Sequence, residues 1–218
     1  MNEGESAHPQ QHPPPAWMLQ LADAVQDLPA AWAGRFVPSP DSEARQSAVL
    51  MLFAPGSGGT EVVLTQRAAT LRAHAGQVSF PGGGHEEGDV SATATALREA
   101  REEVGLRESE VSVLAALPPL HIPVSRYDVT PILGWWHSPG RIWARQRAEV
   151  QRVVRVPLDT LLDPATRFRV RHPSGYTGPG FAAGSLTVWG FTAGLLDSIF
   201  EVAGLTRPWD RSVVREVS

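Results

Sequence analysis

Residues 82–106 read GGGHEEGDVSATATALREAREEVGL, a glycine-rich loop that leads into a helix expected over 91–104. Within that helix Glu99, Glu102 and Glu103 lie three and four positions apart, so their carboxylates share one face. An adjoining apolar stripe would pack on a sheet; it consists of Ala96, Leu97, Ala100 and Val104. The stretch therefore predicts a helix with one apolar face and one acidic face.

The acidic face is a candidate site for a hard divalent cation. Glu99 and Glu103 form a like-charged pair, which costs an isolated helix roughly 0.2–0.5 kcal/mol. Mg²⁺ prefers oxygen ligands and usually keeps waters and substrate phosphates in its shell. Carboxylates alone do not distinguish Mg²⁺ from Mn²⁺. Because a glutamate-rich helix face is most often only solvated surface, the flanking residues must decide between the two interpretations.

The flanking residues resemble the Nudix box, whose pattern is G-x5-E-x7-R-E-U-x-E-E-x-G-U, with U an aliphatic residue. Arg98 to Leu106 fit its second half, and Ala100 is the small variant of U. The first half departs from the pattern: five residues separate Gly83 from Asp89, which takes the place of a glutamate, and eight residues instead of seven separate Asp89 from Arg98. The role of Asp89 therefore stays open. The resemblance implies an α/β Nudix fold, a mixed β-sheet sandwiched between α-helices.

The same resemblance implies roles for the residues of the box. Glu99, Glu102 and Glu103 would bind the cofactor, Mg²⁺ or Mn²⁺. Arg98 would orient a carboxylate as part of the catalytic set, and the carbonyl of Gly83 would add a metal ligand. The expected reaction is the hydrolysis of a diphosphate linked to another moiety.

The catalytic base has two candidates. Diphosphate hydrolysis needs an in-line water, a base that deprotonates it and cations that neutralise the developing charge. In Nudix enzymes the base lies in the box helix or on a later loop, which indicates Glu103 or Glu149. Glu149 precedes an apolar segment, where its alternative role is that of a solvated residue at the end of a loop. The sequence leaves this choice open.

A second motif lies directly upstream, where residues 63–83 read VLTQRAATLRAHAGQVSFPGG. They resemble L-L-T-x2-[SA]-x3-R-x3-G-x3-F-P-G-G, the signature of the coenzyme A pyrophosphatase branch of the Nudix family, with Val63 in place of the first leucine. The same branch carries the longer spacing found before Arg98. This resemblance implies that the substrate is coenzyme A or a derivative, split into 3′,5′-ADP and 4′-phosphopantetheine.

Candidate substrate-binding residues lie in the upstream motif. Arg67 and Arg72 would bind phosphate through their guanidinium forks, and His74 would donate a further hydrogen bond. Gly82 and Gly83 would let the backbone approach metal or phosphate closely. The alternative is that these are ordinary solvated residues of a loop beside the sheet.

The composition excludes several other classes of protein. The 218 residues carry a net charge of −4, which argues against a nucleic-acid partner, and all 19 basic residues are arginine. There is no cysteine, so disulfides, thiolate chemistry and zinc–sulfur sites are excluded. No apolar run approaches the ~18 residues of a membrane span, and the N-terminus lacks the features of a signal peptide. We expect a cytoplasmic protein without a membrane partner.

Patterning predicts the order of the elements. We expect a disordered, proline-rich tail over 1–15 and a single domain over 16–218. The expected helices cover 16–27, 91–104 with Gly105 as C-terminal cap, 158–162 and 195–203. The expected strands cover 47–53, 61–65, 111–117, 127–136 and 151–156, whereas 76–84 and 172–184 are expected to be loops.

Two other functions stay open. One is a Nudix hydrolase of another small molecule, such as ADP-ribose or a dinucleotide, because substrate choice depends on loops. The other is a catalytically silent Nudix domain that senses a ligand. The complete set of three glutamates argues against the second, and the upstream motif argues against the first. The oligomeric state is not predicted.

Overall fold

Twelve strands and four α-helices make up the described part of the chain, which in this computed structural model covers residues 11–29, 32, 44–70, 75–123 and 125–217. The helices are α1 (Ala16–Ala24), α2 (Ala92–Val104), α3 (Leu158–Leu162) and α4 (Gly190–Val202). The strands are β1 (Arg45–Gly56), β2 (Gly59–Arg67), β3 (Val78–Ser79), β4 (Gly82–Gly84), β5 (Val111–Ala116), β6 (Leu120–Ile122), β7 (Tyr127–Trp136), β8 (Val150–Pro157), β9 (Arg167–Arg171), β10 (Thr177–Ala183), β11 (Leu186–Val188) and β12 (Val214–Glu216).

Two long parallel strands form the centre of the main sheet. β1 pairs with β7 in parallel, from Arg45 opposite Tyr127 to Phe53 opposite Trp135. β2 and then β8 continue the sheet antiparallel on one side, and β5 lies antiparallel on the other. The centre of β1 is an apolar run buried on both faces, as expected for a strand covered on both sides. The predicted mixed sheet is confirmed.

The two faces of this sheet are covered by different elements. α2 covers one face, where Ala96, Ala100 and Val104 are fully buried against side chains of β1 and β7. α1, α3, α4 and the strands β10 and β11 cover the other face, where Phe53 and Phe181 belong to one core. The sandwich of sheet between helices is therefore also confirmed, and its α2 face carries the acidic residues.

The limits of α2 follow from local sequence. The Ser91 side chain accepts a hydrogen bond from the Ala94 N–H at 3.1 Å, which caps the first turn. Gly105 ends the helix with φ 73°, a left-handed conformation that glycine adopts at little cost. The predicted helix over 91–104 agrees with the observed Ala92–Val104 to within one residue.

A second, four-stranded sheet was not predicted; its strand order is β11-β10-β9-β12. The expectation of a loop over 172–184 was wrong for β10, which pairs antiparallel with β9 from Thr177 to Phe181. Glycine and proline in this strand resemble a turn in sequence. However, a Cβ on Gly180 would lie 2.5 Å from the Phe168 ring, so the glycine lets a buried aromatic residue pack against the strand.

The expectation of a continuous loop over 76–84 was also wrong. This stretch contains β3 and β4. β4 pairs with β1, so that Gly82 lies opposite Val49 and Gly84 lies opposite Ser47. A Cβ on Gly82 would overlap the carbonyl oxygen of Ala48. The glycines therefore allow a close backbone approach, and this pairing fixes the start of the acidic loop.

Elsewhere, α4 begins at Gly190, earlier than the predicted 195.

The predicted N-terminal tail is only partly described, because residues 1–10 lie outside the described residues. His12 is held at the main sheet: its N–H donates to the His137 carbonyl at 2.8 Å, and its carbonyl accepts from Trp135 Nε1 at 2.6 Å. The expectation of disorder therefore fails at this end of the tail. We propose that 16–218 is one domain, since both sheets share a core. No described helix is long and apolar enough to cross a membrane.

Candidate active site

Arg98 connects the loop before α2 to the acidic face. Its Nε and Nη2 donate to the two carboxylate oxygens of Asp89, each at 3.0 Å. Nη2 also donates to the Gly84 carbonyl at 2.8 Å, and Nη1 donates to Glu99 Oε1 at 3.1 Å. A guanidinium bound on several sides cannot rotate freely. Arg98 therefore has the geometry that its predicted role, the orientation of a carboxylate, requires.

Asp89 is the residue whose role the sequence left open. Besides Arg98, its carboxylate accepts the hydroxyl of Thr95 at 2.9 Å and the N–H of Glu86 at 3.0 Å. The hydrogen bonds from Arg98 hold the pKa of Asp89 well below its usual range. Asp89 thus joins the loop to α2 as an anion. The sequence did not predict the hydrogen bonds from Arg98 and Thr95 to Asp89. Its only indication of them was an acidic residue shortly before an arginine.

Glu103 is the most buried carboxylate of the site, with 3% of the residue exposed. Its Oε2 accepts a hydrogen bond from the Gly82 N–H at 3.1 Å. Burial raises the pKa of Glu103 to about 8; Glu99 and Glu149 act in the same direction, and Arg67 opposes them. A cation bound beside such a buried carboxylate would stabilise its charged form, since the cation compensates for the hydration lost on burial.

Glu99 and Glu102 complete the acidic face at different depths. Glu99 lies against Gly83, where a Cβ would overlap its carboxylate, and burial raises the pKa of Glu99. The Glu102 side chain is 40% exposed and lies 4.0 Å from Arg98 Nη1. The three carboxylates share the face, but no three acidic or histidine side chains among the described residues converge into a ready metal cage. An ion that takes one or two carboxylates together with water and phosphate still fits this donor set.

Arg67 and Glu149 lie beside the acidic face although they are distant in sequence. Arg67 ends β2 opposite Val150, and the Ala68 N–H donates to the Glu149 carbonyl at 2.7 Å. Both side chains influence the pKa of Glu103. The structure thus brings these two predicted site residues to the glutamates. Of the other predicted binding residues, Gly82 and Gly83 lie in β4 beside the glutamates, whereas Arg72 and His74 lie outside the described residues.

Two shallow clefts open elsewhere, next to the β10–β11 hairpin. One is lined by residues of β2 and β3, including Gln66 and Val78, and the other by residues of β8, including Arg152 and Val156. No glutamate of α2 lines either cleft. The acidic face is therefore the better candidate for the chemistry, because it combines buried carboxylates with arginines.

A family model described as the NUDIX domain matches residues 44–176, more than half of the chain and the whole of the two motifs. The chain belongs to the Nudix family. Nudix hydrolases act on pyrophosphate bonds and generally require divalent metal ions. At this level the predicted reaction and the need for a metal ion are confirmed.

Relatives and solved structures agree with this assignment. An uncharacterized Nudix hydrolase, NudL of Pectobacterium atrosepticum, is 40% identical over 144 residues, which cover 65% of this chain and 73% of the relative. NudL of Escherichia coli K12 is 45% identical over 116 residues, 52% of this chain and 58% of the relative. The crystal structure of RenU, a Nudix hydrolase from M. smegmatis, matches with a TM-score of 0.53 at 19% identity, covering 77% of this chain and 91% of RenU. That last match supports the fold alone.

Proposed function

We propose that this Nudix hydrolase splits the diphosphate of coenzyme A, or of a coenzyme A derivative, into 3′,5′-ADP and 4′-phosphopantetheine. The support comes from the motif over 63–83 and from the position of its arginine Arg67 next to Glu103. The motif gives the substrate class, and the arginine gives a phosphate contact at the glutamate site.

The state of Arg67 supports a phosphate ligand. Its Nε is buried and has no hydrogen-bond partner, and its side chain forms no ion pair among the described residues. A buried donor without a partner costs about 1–3 kcal/mol. A phosphate oxygen would satisfy that donor, and the planar guanidinium suits bidentate contact with phosphate. We therefore assign Arg67 to substrate binding, together with Arg72 and His74 of the same motif.

The residues that would hold the metal are Glu99, Glu102 and Glu103, with the carbonyl of Gly83 as a further ligand. Mg²⁺ or Mn²⁺ bound there would lower the pKa of water and neutralise charge on the phosphate oxygens. The donor set consists entirely of oxygen atoms, which is what these hard cations select. Arg98 keeps Glu99 in place, and the Gly82 N–H does the same for Glu103.

For the base we favour Glu149 over Glu103. Glu103 is buried and already bound to the Gly82 N–H, whereas Glu149 is exposed and close enough to affect the pKa of both Glu99 and Glu103. An exposed carboxylate at the edge of the site can accept the proton of a water and release it to solvent. In a Glu149→Gln variant kcat should fall roughly 100-fold. An unchanged kcat would return the role to Glu103.

A substrate panel tests the proposal directly. The full chain is incubated with Mg²⁺ and coenzyme A, ADP-ribose, NADH or diadenosine polyphosphates, and the products are separated by chromatography. We expect the highest kcat/KM for coenzyme A, with release of 3′,5′-ADP. Preference for ADP-ribose or a dinucleotide would contradict the substrate assignment, and binding without turnover of any compound would indicate a ligand-sensing domain.

Arg67 offers a narrower test with a matched control. Arg67→Gln should raise the KM for coenzyme A about tenfold or more, because a charge-assisted contact to phosphate is lost. Arg152→Gln, on the neighbouring strand β8, removes an exposed arginine that bonds to Gln66 and Ser185, and should leave KM unchanged. Equal effects of both changes would argue against a specific phosphate contact.

The expected cytoplasmic location stays a prediction that cell fractionation can test.

A further inference from the structure

The segment over 141–147, between β7 and β8, presents an alternating set of side chains. Arg141, Trp143, Arg145 and Arg147 are exposed, whereas the residues between them are half-buried. One of those, Ile142, packs against the core under α2. Alternation of this kind places Arg141 and Trp143 on the same side of the chain, which then bends at Arg145 and enters a turn at Arg147. We call residues 141–147 the Trp143 segment.

The Trp143 segment is fixed to the C-terminal end of α2. The Trp143 N–H donates to the Val104 carbonyl at 3.1 Å, and the Arg145 N–H donates to the Glu103 carbonyl at 2.9 Å. Arg145 Nη1 donates to the Arg101 carbonyl at 3.1 Å. The two backbone bonds satisfy the carbonyls of Val104 and Glu103, which have no partner within the helix. They also place the segment at the residue that carries the most buried carboxylate of the site.

Trp143 combines exposure with a cationic setting. The residue is 49% exposed, and the Arg141 guanidinium lies 5.9 Å from the centre of the ring. The ring edge passes close to Gly105, where a Cβ would lie 3.5 Å from it. A single exposed aromatic residue is ordinary. Here two arginines lie beside it, Arg141 at its ring and Arg145 at the same glycine. Arg147 follows four positions later in the chain, and its side chain has no hydrogen bond or ion pair among the described residues.

We propose that the Trp143 segment binds the nucleotide half of the substrate, an inference that rests on the proposed function. With the diphosphate at the acidic face, the substrate extends in two directions. One half carries an aromatic base and a separate phosphate, and the other is an uncharged chain of amides. An indole face stacks on any base, and guanidinium groups bind phosphate. Trp143 therefore takes the base, and Arg147 takes the phosphate that lies outside the diphosphate.

Steady-state kinetics of variants test this assignment. Trp143→Ala should raise the KM for coenzyme A about tenfold, the size of one lost base–aromatic stack, with kcat within about twofold of the parent. Trp143→Phe, which keeps a ring, should retain most of the affinity. Arg147→Ala should raise the KM for coenzyme A but not for dephospho-coenzyme A, which lacks the separate phosphate. Arg171→Ala, an exposed arginine of β9 paired with Glu216, is the charge-matched control and should change neither value.

Calorimetry with the isolated product separates this inference from the proposed function. The full chain is titrated with adenosine 3′,5′-bisphosphate and, separately, with 4′-phosphopantetheine, without metal. We expect Trp143→Ala to weaken binding of the bisphosphate about tenfold and to leave the other ligand unaffected. If coenzyme A is not hydrolysed but this loss is seen, the inference stands and the proposed function fails. If coenzyme A is hydrolysed and Trp143→Ala changes neither KM nor product binding, the inference is overturned.

Discussion

The two faces of the main sheet divide chemistry from packing. On the α2 face small side chains such as Ala96 and Ala100 bring the helix close, and an ionisable residue, Glu103, is buried there. On the other face large side chains such as Phe53, Phe181 and Phe200 fill a continuous core. The acidic face is therefore held by hydrogen bonds and close backbone contact, whereas the opposite face is held by apolar burial.

Two buried or half-buried arginines show the same contrast. Arg98 donates hydrogen bonds to Asp89, Glu99 and a backbone carbonyl, so its position is set by polar contacts. Arg167 pairs with Asp197, and its guanidinium lies between two rings, 4.5 Å from the centre of Phe181 and 4.7 Å from that of Trp209. Arg98 therefore organises a site, whereas Arg167 joins a C-terminal segment to the second sheet.

The largest expected effect concerns the apolar core on the face of the main sheet opposite to α2. Phe181→Ala removes a fully buried ring and should lower the free energy of unfolding by about 3–5 kcal/mol, measured by urea denaturation. At a temperature where the variant is folded, kcat should be unchanged because Phe181 lies on the face opposite to the glutamates. A loss of kcat in the folded variant would contradict the separation of the two faces.

The second prediction concerns the acidic face of α2. Arg98→Ala should weaken metal binding about 10–100-fold, the usual cost of losing a residue that orients a ligand. Arg98→Lys should not restore it, because lysine cannot bind both oxygens of Asp89 in the same fork. Mn²⁺ binding followed by electron paramagnetic resonance measures the affinity. Arg101→Ala, on an exposed position of the same helix, is the control and should bind metal normally.

The third prediction concerns pH and the burial of Glu103. Its pKa is about 8 in the folded chain against 4.5 without the fold, so the folded state holds one proton more between these values. Stability from this group is then lost as pH rises through this range, by about 1.4 kcal/mol per pH unit, and the loss ends above pH 8. The parent and the Glu103→Gln variant both keep the ionisable side chains that face residue 103, which are Glu99, Arg67 and Glu149. Without metal, Glu103→Gln should therefore gain stability relative to the parent between pH 5 and 8, whereas a constant difference would contradict the buried carboxylate.

Local signals explain which elements could be predicted from the sequence. α2 was predicted to within one residue because its cap residues and spacing are all contained in the segment itself. The strand over 127–136 and the helix over 158–162 match β7 and α3 for the same reason. β10 was missed because its glycines and proline resemble a turn, and Gly180 is explained only by the side chains of Phe168 and Val170 on the neighbouring strand. Strands β3 and β4 are too short to show a period.

The site could be predicted in its residue types but not in its connections. The glutamate spacing and the upstream motif indicated Glu103 and Arg67, and the structure brings them together. The bond from Arg98 to Asp89 depends on how the loop returns to the helix, which spacing does not specify. The Trp143 segment has no motif, and its position follows only from the backbone bonds to Val104 and Glu103.

The proposed reaction depends on a divalent cation held at the buried face of α2. The most direct measurement is the melting temperature of the parent and of Glu103→Gln during a Mg²⁺ titration at pH 8.5, with coenzyme A hydrolysis measured on the same samples. The parent should gain stability with concentration, as expected for a ligand that binds only the folded state. Glu103→Gln should show little gain and should lose most turnover. An equal gain in both proteins, with turnover unimpaired, would show that Glu103 does not hold the cation.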